Sequence, residues 1–186
     1  VVGLTPESCV ELHTCGDLEG HRGRDGRLYA VDFARIFPPE APGPHPTPQE
    51  AKAFMYNMLR PELVMNNEVP LSSDCYTRWG SQDPNFRRWN GDVRAATVRL
   101  FEKVIPEFAA RLDAPGSPAA SSAVRLIEEL HRAGINVRHL GRVRSHLNTV
   151  AARNIVLVEI VSRVVKNVIR HRLRAAMRAA KHPSED

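Results

Sequence analysis

Near the start of the chain apolar residues alternate with polar ones; further on they recur every three or four positions. The alternation lies between Leu18 and Phe33, where Tyr29, Val31 and Phe33 fall on one face at period two and Leu28, Ala30 and Asp32 on the other. Asp25-Gly26 interrupts it, a pair favoured in two-residue type I′ turns because both central residues there take positive φ. The pattern predicts a hairpin that pairs Leu18–Arg24 with Arg27–Phe33. Val10 and Leu12 predict a further strand within Val1 to Asp17. Six prolines between Pro38 and Pro48 oppose regular hydrogen-bonded structure and predict an exposed extended linker.

Beyond the prolines the period changes to that of a helix. Thr47, Pro48 and Glu50 make a capping box with proline at the first helical position, and Ala51, Phe54, Met55, Met58 and Leu59 follow at helical spacing until Pro61. Pro70 to Gln82 reads as a loop that packs down through Leu71, Tyr76 and Trp79. The next helix is expected after Asp83-Pro84, restarting at Asn90-Gly91-Asp92, with a stripe of Val93, Thr97, Leu100, Val104, Phe108 and Leu112 and a kink at Pro106. Ser117-Pro118 opens another, whose expected buried face is Ala120, Ala123, Val124, Ile127 and Leu130; Gly134 closes it as a left-handed cap with Ile135 beside it. Val137 to Leu147 is a short helical segment weakened by Gly141. From Asn148 or Thr149 a last helix runs to about His182, before Pro183, with Leu157, Val161, Val164, Val165 and Val168 as its expected core side. Its β-branched content means that tertiary packing rather than propensity must hold it.

These elements predict an α+β fold: a small N-terminal β-hairpin element followed by a mainly α-helical bundle with a long C-terminal helix. A length of 186 residues fits one domain over 1-186, divided into a hairpin region at 1-40, a proline-rich linker at 41-47 and a helical bundle at 48-182. The start at Val1 rather than methionine suggests a piece of something larger. The longest apolar stretch, Ile155 to Ile169, is broken by Glu159, Arg163 and Lys166, so no membrane insertion is expected. Cys9, Cys15 and Cys75 show no metal-ligand spacing and read as free thiols of a reducing cytosol, although a Cys9 to Cys15 bridge is conceivable.

Charge changes the picture more than composition does. Arg132 to His182 carries twelve Lys and Arg against Glu159 alone, a net +11, while the remainder holds 14 basic and 20 acidic residues, a net −6. Arg163, Lys166, Arg170, Arg174 and Arg178 follow at steps of three, four, four and four, which places them on one helical face; Arg138, Arg142 and Arg144 would join the same field if the short segment packs alongside. Such a stripe can bind RNA phosphates or an acidic protein surface. It can equally be a solvated face, favoured near a helix C-terminus by the macrodipole. All aromatic side chains except histidine precede Arg111, so stacking on single-stranded bases has no support in this third.

Other chemistry is thin. His21, Asp25, Asp32 and Arg35 could form an acid-base or metal site at the hairpin, but turn and ion-pair duties explain them more simply. There is no HExxH, no Gly-x-Ser-x-Gly elbow around Ser72 or Ser73, and no Gly-rich phosphate loop, so neither a catalytic residue nor a metal or cofactor is expected.

The motif Gly-x-Asp-Gly-Arg-x-Tyr-x-x-Asp-x-x-Arg, carried by Gly23, Asp25, Gly26, Arg27, Tyr29, Asp32 and Arg35 and followed by Pro38, resembles the central domain of the clustered mitochondria (Clu) protein family. Leu59 to Val64, Gly134 to Gly141 and Glu159 to Arg174 resemble the same domain in the same order. Ala30, Phe33 and Glu40 depart from the family's usual residues. The resemblance implies a non-enzymatic cytoplasmic protein associated with mitochondrial distribution, with messenger RNA and with translation initiation complexes. Its partners would be mRNA, ribosome or translation-factor complexes, or other protein domains. A scaffold for flanking repeats, or an enzyme at the Asp25/Asp32 hairpin, are the alternatives.

Overall fold

A computed structural model describes residues 14–43 and 56–181. The expected strand at Val10 and Leu12, Cys9, the Thr47 capping box with Ala51, Phe54 and Met55, linker residues 44–47 and the chain end at His182 and Pro183 lie outside the described residues. The fold is a two-stranded antiparallel sheet followed by helices, the last of them long. The chain divides into two compact units, Val1–Arg99 and Leu100–Asp186.

In the first unit, β1 (Glu19–Arg22) pairs with β2 (Leu28–Val31), Arg22 lying opposite Leu28. The hairpin is therefore present, but its turn is not the two-residue type I′ turn expected from Asp25-Gly26, which would set Arg24 opposite Arg27. Gly26 N–H donates to the Gly23 carbonyl at 3.0 Å and Gly23 N–H to the Arg27 carbonyl at 2.8 Å. Of the two central residues only Gly26 has positive φ, at 79°. This is a three-residue loop, a turn at Arg24-Asp25 followed by a left-handed glycine, and it shifts the register by one residue. Both strands are exposed throughout, and Phe33 leaves the sheet for a 3₁₀ turn over Phe33–Arg35.

The proline run begins buried rather than as an exposed linker. Pro38 and Pro39 are buried, and Pro39 bridges to Met58. Leu59 N–H donates to the Pro38 carbonyl at 2.9 Å, Glu40 N–H to the Asn57 carbonyl at 2.7 Å, and Ala41 N–H to the Thr97 hydroxyl at 3.0 Å. Proline cannot donate in a ladder, but its carbonyl accepts, so one short extended pairing survives. That pairing displaces the helix expected through Met58 and Leu59. Pro61 begins α1 (Pro61–Met65) instead of ending a helix, because it biases Arg60 to extended backbone at φ −69° and ψ 144°.

The expected break at Asn90-Gly91-Asp92 does not occur, since α2 (Phe86–Arg99) runs through it. Asn90 usually competes for nearby backbone groups. Here its side-chain oxygen is occupied by Tyr76 N–H at 3.0 Å, and its carbonyl accepts from the Tyr76 hydroxyl at 2.7 Å. Val93, Ala96 and Thr97 form the buried face of α2.

The second unit opens with a π-helical turn, Leu100–Val104, which leads into α3 (Ile105–Asp113). Pro106 is the cause closest to hand: it lacks an N–H and its ring crowds the preceding turn, which the wider winding accommodates. Ile105, Phe108, Ala109 and Leu112 are buried on α3. Pro118–Ala120 forms a 3₁₀ turn, and Ser122 rather than Ser117 caps α4 (Ala123–Arg132), accepting from Arg125 N–H at 3.2 Å. Leu130 is buried on α4 as expected, but its other buried residue is Leu126 rather than the neighbouring Ile127, and Ala120, Ala123 and Val124 are exposed. Gly134, at φ 76°, closes α4 with its N–H on the His131 carbonyl, and Ile135 is buried behind it. A 3₁₀ turn, Val137–His139, leads to α5 (Leu140–Ser145), and α6 (Val150–Lys181) spans 32 residues, about 48 Å.

Ala152 and Val156 are the buried residues of α6. The expected core side is a correction: Leu157, Val161, Val164, Val165 and Val168 are 39–56% exposed. The helix packs against α4 and α5, and no described residue of it after Val156 is buried.

Candidate interaction surface

The hairpin motif forms a compact lock. Asp25 accepts the Tyr29 hydroxyl at 2.6 Å and the Arg27 N–H at 3.1 Å, and these bonds hold its carboxyl below the usual carboxylate range, the Tyr29 bond most strongly. A side chain at Gly23 would meet the Asp25 carboxylate at 2.5 Å and the Tyr29 ring at 2.6 Å. Asp32 sits in left-handed backbone at φ 62° and opens the following 3₁₀ turn without capping it. His21 bonds Glu19 at 2.9 Å, and no hydrogen bond joins two of His21, Asp25 and Asp32. Among the described residues no cluster of three or more His, Cys, Asp or Glu could hold a metal.

Arg35 does not pair with Asp32. Its side chain is 2% exposed, and it donates from Nε and Nη2 to the two oxygens of Asp17, both at 2.7 Å, and from Nη2 to Asp74 at 3.3 Å. The guanidinium also lies over Trp79, 4.6 Å from the ring centroid. The Arg35 bonds hold the Asp17 carboxyl below its usual range. Asp74 in turn accepts Gly16 N–H at 3.0 and 2.9 Å. Cys15 and Cys75 are buried free thiols beside this cluster, and burial pushes Cys75 up to about 12, which disfavours the reactive thiolate.

The basic residues are in the second unit. Its last helix is anchored by Asp113, whose carboxylate accepts Asn148 N–H at 2.7 Å, Thr149 N–H at 3.0 Å and the Thr149 hydroxyl at 2.7 Å. The Thr149 oxygen then accepts Ala152 N–H at 3.3 Å. These donors lower the Asp113 carboxyl, the Asn148 N–H most strongly. Asp113→Ala is expected to cost about 1 to 2 kcal/mol, as for a lost helix cap. Far-UV circular dichroism melts at neutral pH measure it. A depressed carboxyl pKa stabilises above the unfolded value near 4 and loses its effect as pH falls through the folded one. Parent and variant should therefore converge in acid; equal melts at neutral pH would remove Asp113 as the anchor.

The groove between α5, with its leading 3₁₀ turn, and α6 encloses about 560 Å³. Val137, Leu140, Ile160 and Val164 line it together with Arg138, Arg163, Lys166 and Arg170. Four of the eight expected basic residues therefore converge. Arg163 donates to Glu159 at 2.5 Å, so that carboxylate is already engaged. Arg142 is turned over Phe101, 4.2 Å from its centroid, and Arg144 donates to the Arg153 carbonyl at 3.2 Å, tying α5 to α6. Arg174 and Arg178 lie further along α6, exposed. The sequence did not signal the groove, because the turn that brings Arg138 to α6 depends on Asn136, whose side chain accepts Arg138 N–H at 3.2 Å. No helix among the described residues is long and apolar enough to cross a membrane.

Comparison with known proteins divides along the chain. The family model described as Clustered mitochondria matches residues 3–42, and that described as Translation initiation factor eIF3 subunit 135 matches residues 118–184. A clustered mitochondria protein homolog of Schizosaccharomyces pombe is 33% identical over 222 aligned residues, covering 84% of this chain. The chain spans 19% of that relative's length. No solved structure matches. The hairpin motif, its lock and this alignment agree, and the chain belongs to the clustered mitochondria family.

Proposed function

We propose that the chain is a non-enzymatic, cofactor-free interaction module of a cytoplasmic Clu-like protein linked to mitochondrial distribution and to mRNA and the translation machinery. Its contact surface is the basic outer part of α6, offered to an anionic partner. The observation that carries this reading is the convergence of Arg138, Arg163, Lys166 and Arg170 on one groove. Its electrostatics favour a negatively charged occupant. The likeness of residues 118–184 to a translation initiation factor subunit supports a partner in that machinery.

Charge reversal tests it. Lys166, Arg170 and Arg174 are exposed, so replacing all three by Glu should leave the fold within about 0.5 kcal/mol per site. In cell extract at low salt, the parent chain should sediment with initiation complexes, and the variant should lose about tenfold or more of that association, with salt mimicking the effect. Equal sedimentation of the two would favour a scaffold that positions flanking repeats.

A further inference from the structure

The outer part of α6 is apolar as well as basic. Leu157, Val161, Val165, Ile169, Leu173 and Met177 follow at steps of four, each between 39% and 63% exposed. Directly after the last four stand Lys166, Arg170, Arg174 and Arg178. Successive residues lie about 100° apart around a helix, so an apolar ridge runs beside a cationic one. The groove repeats the arrangement in concave form, with Ile160 and Val164 within it and Lys166 and Arg170 beside them.

We infer that this groove takes an amphipathic helix from a partner protein, with its apolar side on Ile160 and Val164 and flanking carboxylates on Lys166 and Arg170. The inference rests on the anionic-partner reading and names the partner's class. Charge complementarity selects this occupant. A second copy would set cations against cations. RNA would meet the cations but leave the apolar lining wet, and neither phenylalanine of the second unit is open for stacking: Phe108 is buried and Phe101 lies under Arg142 and against His139. A bilayer is too flat to reach between α5 and α6. An acidic amphipathic helix fills the groove and pairs with its rim.

The probe is a synthetic helical peptide of about 18 residues with leucines at i, i+3, i+4 and i+7 spacing and flanking glutamates, titrated by fluorescence anisotropy against the full chain. A scrambled peptide of equal composition, mixed-sequence single-stranded RNA and phosphatidylserine vesicles are the comparisons. The ordered peptide should bind about tenfold or more tighter than the scrambled one, because only it presents a continuous apolar side. Val164→Asn, at a 56% exposed site, should weaken the ordered peptide by about fivefold and leave any RNA binding unchanged. Equal binding of ordered and scrambled peptides, or tighter binding of RNA or vesicles, overturns the inference while the anionic-partner reading stands. That reading falls separately, if the charge-reversed chain sediments like the parent.

Discussion

Arg35→Met is expected to lower the stability of the first unit by about 3 kcal/mol, near the lower end of the cost of breaking a buried ion pair from one side. Methionine keeps much of the volume but leaves Asp17 without its two 2.7 Å donors and Asp74 without its 3.3 Å one. The two carboxylates are 24% and 20% exposed, which lets water soften the loss. Trp79 also loses the cation over its ring. Both tryptophans, Trp79 and Trp89, belong to this unit, so their fluorescence in a denaturant titration reports it alone. The pH dependence adds a second signature. Because Arg35 depresses the Asp17 carboxyl, its contribution is complete above the ordinary carboxylate value near 4 and disappears as pH falls through the folded value. The variant's acid limb should therefore be flatter than the parent's. An unchanged midpoint with an unchanged acid limb would show that Asp17 and Asp74 do not depend on Arg35.

Gly80→Ala should be comparably damaging, at about 3 kcal/mol, by overpacking rather than by lost charge. A Cβ there would stand 2.1 Å from the Asp74 carbonyl oxygen and 2.8 Å from its carbon. Backbone cannot swing aside as a flexible side chain can. The same carbonyl accepts the Thr77 hydroxyl at 2.6 Å, and the Thr77 oxygen accepts Gly80 N–H at 3.0 Å, so the turn has little slack. Moving Asp74 also disturbs the partner of Arg35 and Gly16. Tryptophan fluorescence again measures the midpoint, and a variant as stable as the parent would mean that Gly80 relaxes freely.

What the sequence disclosed depended on how local the cause was. Gly134 ends a helix through its own backbone preference, and the hairpin motif is readable because turn, glycine and tyrosine lie within seven residues. The register failed by one residue because Asp-Gly suits more than one turn, and the bonds from Gly23 decide between them. Asn90 looked like a break until Tyr76, fourteen residues earlier, occupied its side chain. Arg35 carried no sign that its partners were Asp17 and Asp74, which lie 18 and 39 residues away. The basic stripe on α6 was visible from spacing alone. Its apolar neighbours read as core, since helical periodicity marks a shared face without saying whether anything covers it.

The exposed length of α6 bears on how long the free protein survives. Beyond Ile160 no described side chain is buried, so this part of the helix unwinds at lower cost than its anchored start. Val161, Val164, Val165 and Val168 give it little intrinsic helicity, and each of its arginines and lysines is a cleavage point for a trypsin-like protease. When opening is fast relative to cutting, degradation follows the open population, and a bound partner lowers that population by mass action. The chain in complex would outlast the chain alone, so its abundance would follow the supply of whatever covers the helix.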